Sequence, residues 1–203
     1  MSGKLILIRH GESEWNALGK WTGWTDVSIT EEGVRLSREL GEKLRSVRVD
    51  VAYNSELKRT KETLDAVLEG IGQTPERRAS GAINERDYGV YTSMLKEEVR
   101  AEIGEEAYLA LRRGWDRPIE DGESLKDVYT RVLPFYLEEV VPQLLQGKNV
   151  LIVGHGNSLR AMVKYIDGIS DDDISSFEFG HNCAMVYDIG GDGHRVSEET
   201  VEL

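Results

Sequence analysis

The chain has 203 residues, with 37 Asp and Glu against 25 Lys and Arg, for a formal net charge of −12. That sign disfavours nucleic acid and anionic membranes as partners, because both are held through basic surface. Hydrophobic content of 39% and charged content of 31% fit a globular chain long enough to bury a sizeable core. No apolar run approaches a membrane span, Leu5–Ile8 is too short for the core of a signal peptide, and the lone Cys183 excludes an internal disulfide, so a cytoplasmic location is expected.

In chain order, Leu5-Ile6-Leu7-Ile8 reads as a strand buried on both faces, cut off by Arg9-His10-Gly11. Gly11 is expected to use its backbone freedom to turn the chain sharply after His10. A loop carrying Trp15, Trp21 and Trp24 follows; packing is the plain role for these rings, and Thr22 and Gly23 are the better ligand candidates. Ser28-Ile29-Thr30-Glu31 has capping-box spacing and opens a helix running to about Leu44. A short strand over 49–53 leads into a helix from Glu56 to about Leu68. Its first turn holds Arg59, a cation at the wrong end of the helix dipole and hence a hint of function.

An extended piece near Arg77–Ser80 and a polar loop, 83–89, precede helical character from about Met94 to Arg113, broken near Gly104. Arg112-Arg113 at its end suits the dipole. After a loop through Gly122, a long helix runs from Ser124 to about Leu145, with Pro134 and Pro142 expected to bend or interrupt it. Val150-Leu151-Ile152-Val153 is a second buried strand and ends in His155-Gly156. A helix over 158–166, a solvated helix start at Asp171–Asp173, a strand over 184–189, and an edge strand or tail over 195–203 complete the chain. Alternation of strand and helix predicts an α/β fold: three layers, a mostly parallel sheet with helices on both faces, and a helical insertion (about 85–122) over the carboxyl-end rim, within one domain spanning 1–203.

Two apolar strands ending in His-Gly can bring both imidazoles to one rim, where open α/β sheets bind ligands. Zinc would need a third ligand and is opposed by the nearby arginines, so no metal is expected. The G-x-x-x-x-G-K-[ST] spacing of a nucleotide loop is missing. Phosphoryl transfer to histidine fits best. A neutral His10 nitrogen attacks phosphorus, Arg9, Arg59 and His155 stabilise the transferring group, and Glu85 supplies a proton to the leaving oxygen. His181, His194 and Cys183 are expected to be structural.

The motifs Arg9-His10-Gly11-Glu12-Ser13-Glu14-Trp15-Asn16, Thr22-Gly23-Trp24, Ser55-x-Leu57-Lys58-Arg59-x-x-x-Thr63, Asn84-Glu85-Arg86-x-Tyr88-Gly89, Arg112-Arg113-Gly114 and Gly154-His155-Gly156-Asn157-Ser158 span nearly the whole chain in order. Together they resemble the histidine phosphatase superfamily, and within it the cofactor-dependent phosphoglycerate mutases. The resemblance implies that His10 is phosphorylated, that Glu85 is the proton donor, and that Arg9, Arg59 and His155 form the phosphate pocket. It assigns Asn16, Thr22, Gly23, Arg86, Tyr88, Lys96, Arg112, Arg113, Gly156 and Asn157 to the substrate, with Gly11, Glu12, Ser13, Glu14, Trp15 and Asp87 alongside them. The reaction implied interconverts 2- and 3-phosphoglycerate, primed by 2,3-bisphosphoglycerate; the only partner implied is a small phosphorylated carboxylic acid, and a homo-oligomer stays open.

The chain differs from the mutase pattern in a short connection from Arg113 to Ser124, in Ser93 where relatives usually carry glycine, and in its acidic end, 198–203. The competing reading is a phosphatase of the same superfamily acting on a small phosphorylated metabolite. A non-catalytic phospholigand-binding protein is the lesser one.

Overall fold

The structure, a computed structural model, describes residues 2–203. In chain order it contains β1 (Lys4–Arg9), α1 (Glu14–Ala17), α2 (Glu31–Lys43), β2 (Val51–Asn54), α3 (Lys58–Ile71), β3 (Glu76–Ala79), α4 (Lys96–Ile103), α5 (Glu105–Arg113), α6 (Leu125–Phe135), α7 (Val141–Leu145), β4 (Val150–Gly154), α8 (Gly156–Ile166), β5 (Cys183–Ile189) and β6 (Arg195–Glu202). The sheet order is β3-β2-β4-β1-β5-β6. The first four strands are parallel and the last two antiparallel. The chain after Arg195 is therefore an edge strand.

Period-two alternation in β1 and β4 divides the core between two helical layers. Leu5, Leu7, Val150 and Ile152 pack on the face covered by α6, α7 and α8. Ile6, Ile8, Leu151 and Val153 pack on the face covered by α2 and α3. A third apolar cluster joins Trp21 and Tyr88 to Val99 of α4, Tyr108 and Leu111 of α5, and Ile119. The expected roof over the rim thus carries a small core of its own, and Trp21 packs in it with its ring centroid 4.5 Å from that of Tyr88.

Several local expectations are corrected. Gly11 is not in a left-handed conformation; a Cβ there would lie 2.9 Å from the Gly33 carbonyl oxygen, so the glycine is needed for close approach of the β1 loop to α2. The cap of α2 is Thr30, not Ser28. Its hydroxyl accepts from Gly33 N at 3.0 Å, and a glycine at that third position has no side chain to complete a capping box. The helix carrying Arg59 begins at Lys58, two residues later than expected; Ser55 Oγ lies 2.8 Å from His155 Nε2 and also accepts from Leu57 N at 3.1 Å.

The long helix is interrupted as expected: α6 ends at Phe135, one residue past Pro134. The helical path continues through a wide π-turn, Tyr136–Val140, and resumes as α7 with Pro142 near its start, where a missing N–H costs little. Asp171–Asp173 enters only a short 3₁₀ turn.

Ser93 has φ +76°, the left-handed region in which a side chain is strained, at the position where glycine was expected from the resemblance. Its N–H donates to the Trp21 carbonyl at 2.9 Å, which ties the roof to the loop. Ser93→Gly is expected to raise the unfolding free energy by about 1 kcal/mol, relief of strain outweighing the greater chain entropy of glycine. Urea unfolding of both proteins checks this.

Candidate active site

The register Arg9↔Gly154 aligns the ends of β1 and β4, and His10 N extends the ladder by donating to the Gly154 carbonyl at 3.0 Å. His10 and His155 therefore leave adjacent strands side by side, with ring centroids 5.0 Å apart. His10 Nδ1 lies 2.7 Å from its neighbour's carbonyl oxygen, that of Gly11. A carbonyl only accepts, so Nδ1 carries the proton and the Nε2 lone pair is free to attack an electrophile. His155 is oriented by its Nε2, 2.8 Å from Ser55 Oγ, which in turn lies 2.8 Å from Thr60 Oγ1.

Both imidazoles are held well below the ordinary histidine range, first by burial and then by the Arg59 guanidinium; Arg9 adds to the effect on each. They are accordingly neutral at neutral pH.

Arg59 is buried in the first turn of α3, its Nη1 and Nη2 donating to the carbonyls of Thr25 at 3.0 Å and Gly23 at 2.8 Å. Arg9 leans over the start of α8, within van der Waals reach of Gly156: a Cβ there would sit 3.4 Å from the guanidinium carbon. Among the described residues, Arg9 Nε, Arg59 Nε, Thr22 Oγ1, Trp21 Nε1 and His155 Nδ1 are buried without a hydrogen-bond partner. The first four belong to residues that line one cavity at the sheet rim. Converging unpaired donors beside two guanidinium groups suit an oxyanion such as a phosphoryl group.

Glu85 faces the imidazoles. Its Oε1 accepts from Arg86 N at 2.7 Å and from Asn157 N and Nδ2 at 3.2 and 3.1 Å, leaving Oε2 for a ligand. His10, His155 and Glu85 place ligand atoms within 4.8 Å of one another, close enough to share a cation. The Arg9 and Arg59 guanidinium groups repel one, and this chemistry favours an anion. Arg131 fixes the Glu85 loop by donating to the carbonyls of Ala82, Asn84 and Glu85 at 2.7, 3.0 and 2.9 Å.

A second group of cations comes from the roof. Lys96 at the start of α4 and Arg112 and Arg113 at the end of α5 line the same cavity. Dipole complementarity does not explain the arginine pair. The terminal carbonyls of α5 are taken by other guanidinium groups: Arg86 Nη2 donates to Leu111 at 3.1 Å and Arg160 Nη2 to Arg113 at 2.9 Å. The pair's own side chains are thereby free to face the cavity, where Glu178 meets them.

Of the residues singled out in the sequence, Arg9, His10, Asn16, Thr22, Arg59, Glu85, Tyr88, Lys96, Arg112, Arg113, Gly156 and Asn157 line the cavity. His155 stands beside His10, its ring centroid 5.0 Å away. Gly11, Glu12, Ser13, Glu14, Trp15, Gly23, Arg86 and Asp87 lie outside the lining. Ser13 caps α1 and Arg86 is fully buried beneath the roof; the Gly23 carbonyl holds Arg59, and Asp87 caps its own turn. Lys20, Trp21, Arg160, Glu178 and Phe179 line the cavity without having been singled out. Arg160 lay within the His155 motif, but no local pattern marks Lys20 or the 177–182 loop. His181 of that loop is pushed down to about 4 by burial and by Arg9.

The sequence pattern of the histidine phosphatase superfamily (branch 1) matches residues 5–200. Proteins named 2,3-bisphosphoglycerate-dependent phosphoglycerate mutase from Mesorhizobium japonicum and from Chelativorans sp. are 40% and 42% identical to this chain, each over all of both chains. Among solved structures, a mycobacterial glucosyl-3-phosphoglycerate phosphatase superposes with TM-score 0.85 at 20% identity, covering 98% of this chain and 97% of its own. The alpha-ribazole phosphatase of Shigella flexneri superposes with TM-score 0.79 at 25% identity, covering 93% and 92%.

A histidine whose pKa is lowered by folding binds its proton more readily when unfolded, so stability is full above about pH 6.5 and falls as pH drops below it. Between pH 6.5 and 5 the unfolding free energy is expected to decline by up to about 1.4 kcal/mol per pH unit for each buried imidazole. His10→Asn should remove one histidine's share of that slope. Urea unfolding across this range checks both, and a flat wild-type profile contradicts the neutral pair.

Proposed function

This chain belongs to the histidine phosphatase superfamily (branch 1), and on that premise we propose that it interconverts 2-phosphoglycerate and 3-phosphoglycerate through a phosphohistidine on His10. The observation that carries the reading is one cavity with two groups of cations: Arg9 and Arg59 beside the imidazoles, and Lys96, Arg112 and Arg113 from the roof. A phosphate monoester alone needs the first group; a substrate that also bears a carboxylate gives the second a purpose.

His10 is the nucleophile. Its Nε2 lone pair attacks phosphorus in line with the departing oxygen, so that an N–P bond forms as the P–O bond breaks. Arg9, Arg59 and His155 Nδ1 meet the charge on the equatorial oxygens. Glu85 gives a proton to the leaving oxygen. In the transfer back, His10 passes the phosphoryl group to a free hydroxyl of the bound phosphoglycerate while Glu85 takes that hydroxyl's proton. His10 then accepts the phosphoryl group from the neighbouring carbon's oxygen, and Glu85 returns the proton.

The residues fit 2,3-bisphosphoglycerate as primer, because the unpaired donors at the rim and the roof cations supply sites for more than one anionic group. Arg9, Arg59, Lys96, Arg112 and Arg113 would hold it, and it supplies the phosphoryl group that charges His10. No metal is needed, since two guanidinium groups already do the work of a Lewis acid on phosphorus. The cavity's positive lining also reconciles an anionic substrate with a net charge of −12, because local field sets the site.

Supplied with 3-phosphoglycerate and 2,3-bisphosphoglycerate, the protein should form 2-phosphoglycerate with no added metal and in the presence of a chelator. Release of inorganic phosphate without 2-phosphoglycerate would instead establish the phosphatase reading. His10→Asn is expected to lower kcat by at least about 10⁴-fold, and Glu85→Gln by about 10²- to 10⁴-fold. Acid-labile label from the radioactive bisphosphate should appear on the wild type and not on His10→Asn.

A further inference from the structure

Glu178 is one of two carboxylates in a cavity whose lining includes seven Lys and Arg side chains. The other, Glu85, is held by backbone and amide donors at the imidazoles. Glu178 instead sits with the roof arginines. Its Oε2 accepts from Arg113 Nη2 at 2.5 Å, and its Oε1 lies 3.9 Å from Arg112 Nη2. This is the grip the arginine pair would offer a substrate carboxylate.

The backbone on both sides of Glu178 is pinned. Arg160 Nε donates to the Phe177 carbonyl at 3.0 Å, and Arg9 Nη1 to the Phe179 carbonyl at 3.3 Å. The side chain itself has no hydrogen-bond partner but Arg113 among the described residues and is 51% exposed. A fixed backbone with a half-exposed, singly held carboxylate allows the side chain to rotate out without moving the loop. Arg113 keeps the carboxyl below the usual range, so it is charged at neutral pH.

We propose that Glu178 is a specificity-determining residue that occupies the carboxylate subsite in the free protein and must be displaced by the carboxylate of the substrate. The inference rests on the phosphoglycerate reading and names which cations of that site are contested. It makes affinity for a carboxylated phosphate ester weaker than the bare cation count suggests, while a phosphate ester without a carboxylate leaves the Glu178–Arg113 pair in place.

The test is calorimetric titration of the wild type, Glu178→Gln and Glu178→Asp with 3-phosphoglycerate and with glycerol 3-phosphate, at about 0.15 M salt to screen long-range charge. A half-exposed ion pair of this kind sets the expected size of the effect: Glu178→Gln should bind 3-phosphoglycerate about two- to fivefold more tightly, with a smaller gain for glycerol 3-phosphate. Glu178→Asp keeps the charge but shortens the reach, and should shift preference the same way. In turnover, KM for 3-phosphoglycerate should fall by the same factor. Weaker or unchanged binding of 3-phosphoglycerate by Glu178→Gln, or an equal gain for both ligands, would overturn the proposal. Failure of the phosphoglycerate reading is read separately, as wild-type protein that makes no 2-phosphoglycerate.

Discussion

The parallel pairing of β1 with β4 is the constraint on which the rest of the site depends. Adjacent parallel strands run about 4.8 Å apart and end at the same rim, so the shared register of Arg9 with Gly154 leaves His10 and His155 no choice but to stand together. Two imidazoles so close, buried and flanked by guanidinium groups, are disfavoured as imidazolium cations. The same geometry that brings them together therefore keeps them neutral. For His10 the adjoining carbonyl of Gly11 then decides which nitrogen is free.

Buried arginines do the positioning. Arg59, Arg86 and Arg160, with the partly buried Arg131, each donate to backbone carbonyls of segments that converge on the cavity. A guanidinium group spreads five donors in a plane, so one side chain can tie several loop carbonyls at once and still present an edge to a ligand. Burial of such charges is costly unless they are well bonded. Here the bonds to carbonyls, with Glu85 nearby, offset that cost for Arg9 and Arg59 and leave a positive pocket in an acidic protein. The roof follows the same logic: because Arg86 and Arg160 satisfy the end of α5, Arg112 and Arg113 are released to the cavity.

Much of this was legible from residues alone. Strand cores, the His-Gly endings, the break at Gly104 and the odd placement of Arg59 all carry short-range signals, and each has a structural counterpart. Helix starts were less legible. Ser28 has the spacing of a cap, yet Thr30 caps α2, because a hydroxyl goes to whichever partner the fold brings near. Gly11 shows the same limit: its space is needed by α2, more than twenty residues away in sequence.

The sequence by itself determined the elements, the alternation that builds a three-layer sheet, and the residue types able to carry phosphoryl transfer, since these follow from periodicity and side-chain chemistry. Only the tertiary structure decided which cations face the cavity and which brace it. Arg86 and Arg112 are alike in the sequence; one is buried under the roof and the other lines the site. Glu178, in a loop without any motif, enters the pocket because Arg9 and Arg160 hold its neighbours' carbonyls there. That is an outcome of contacts between distant segments, and no local pattern encodes it.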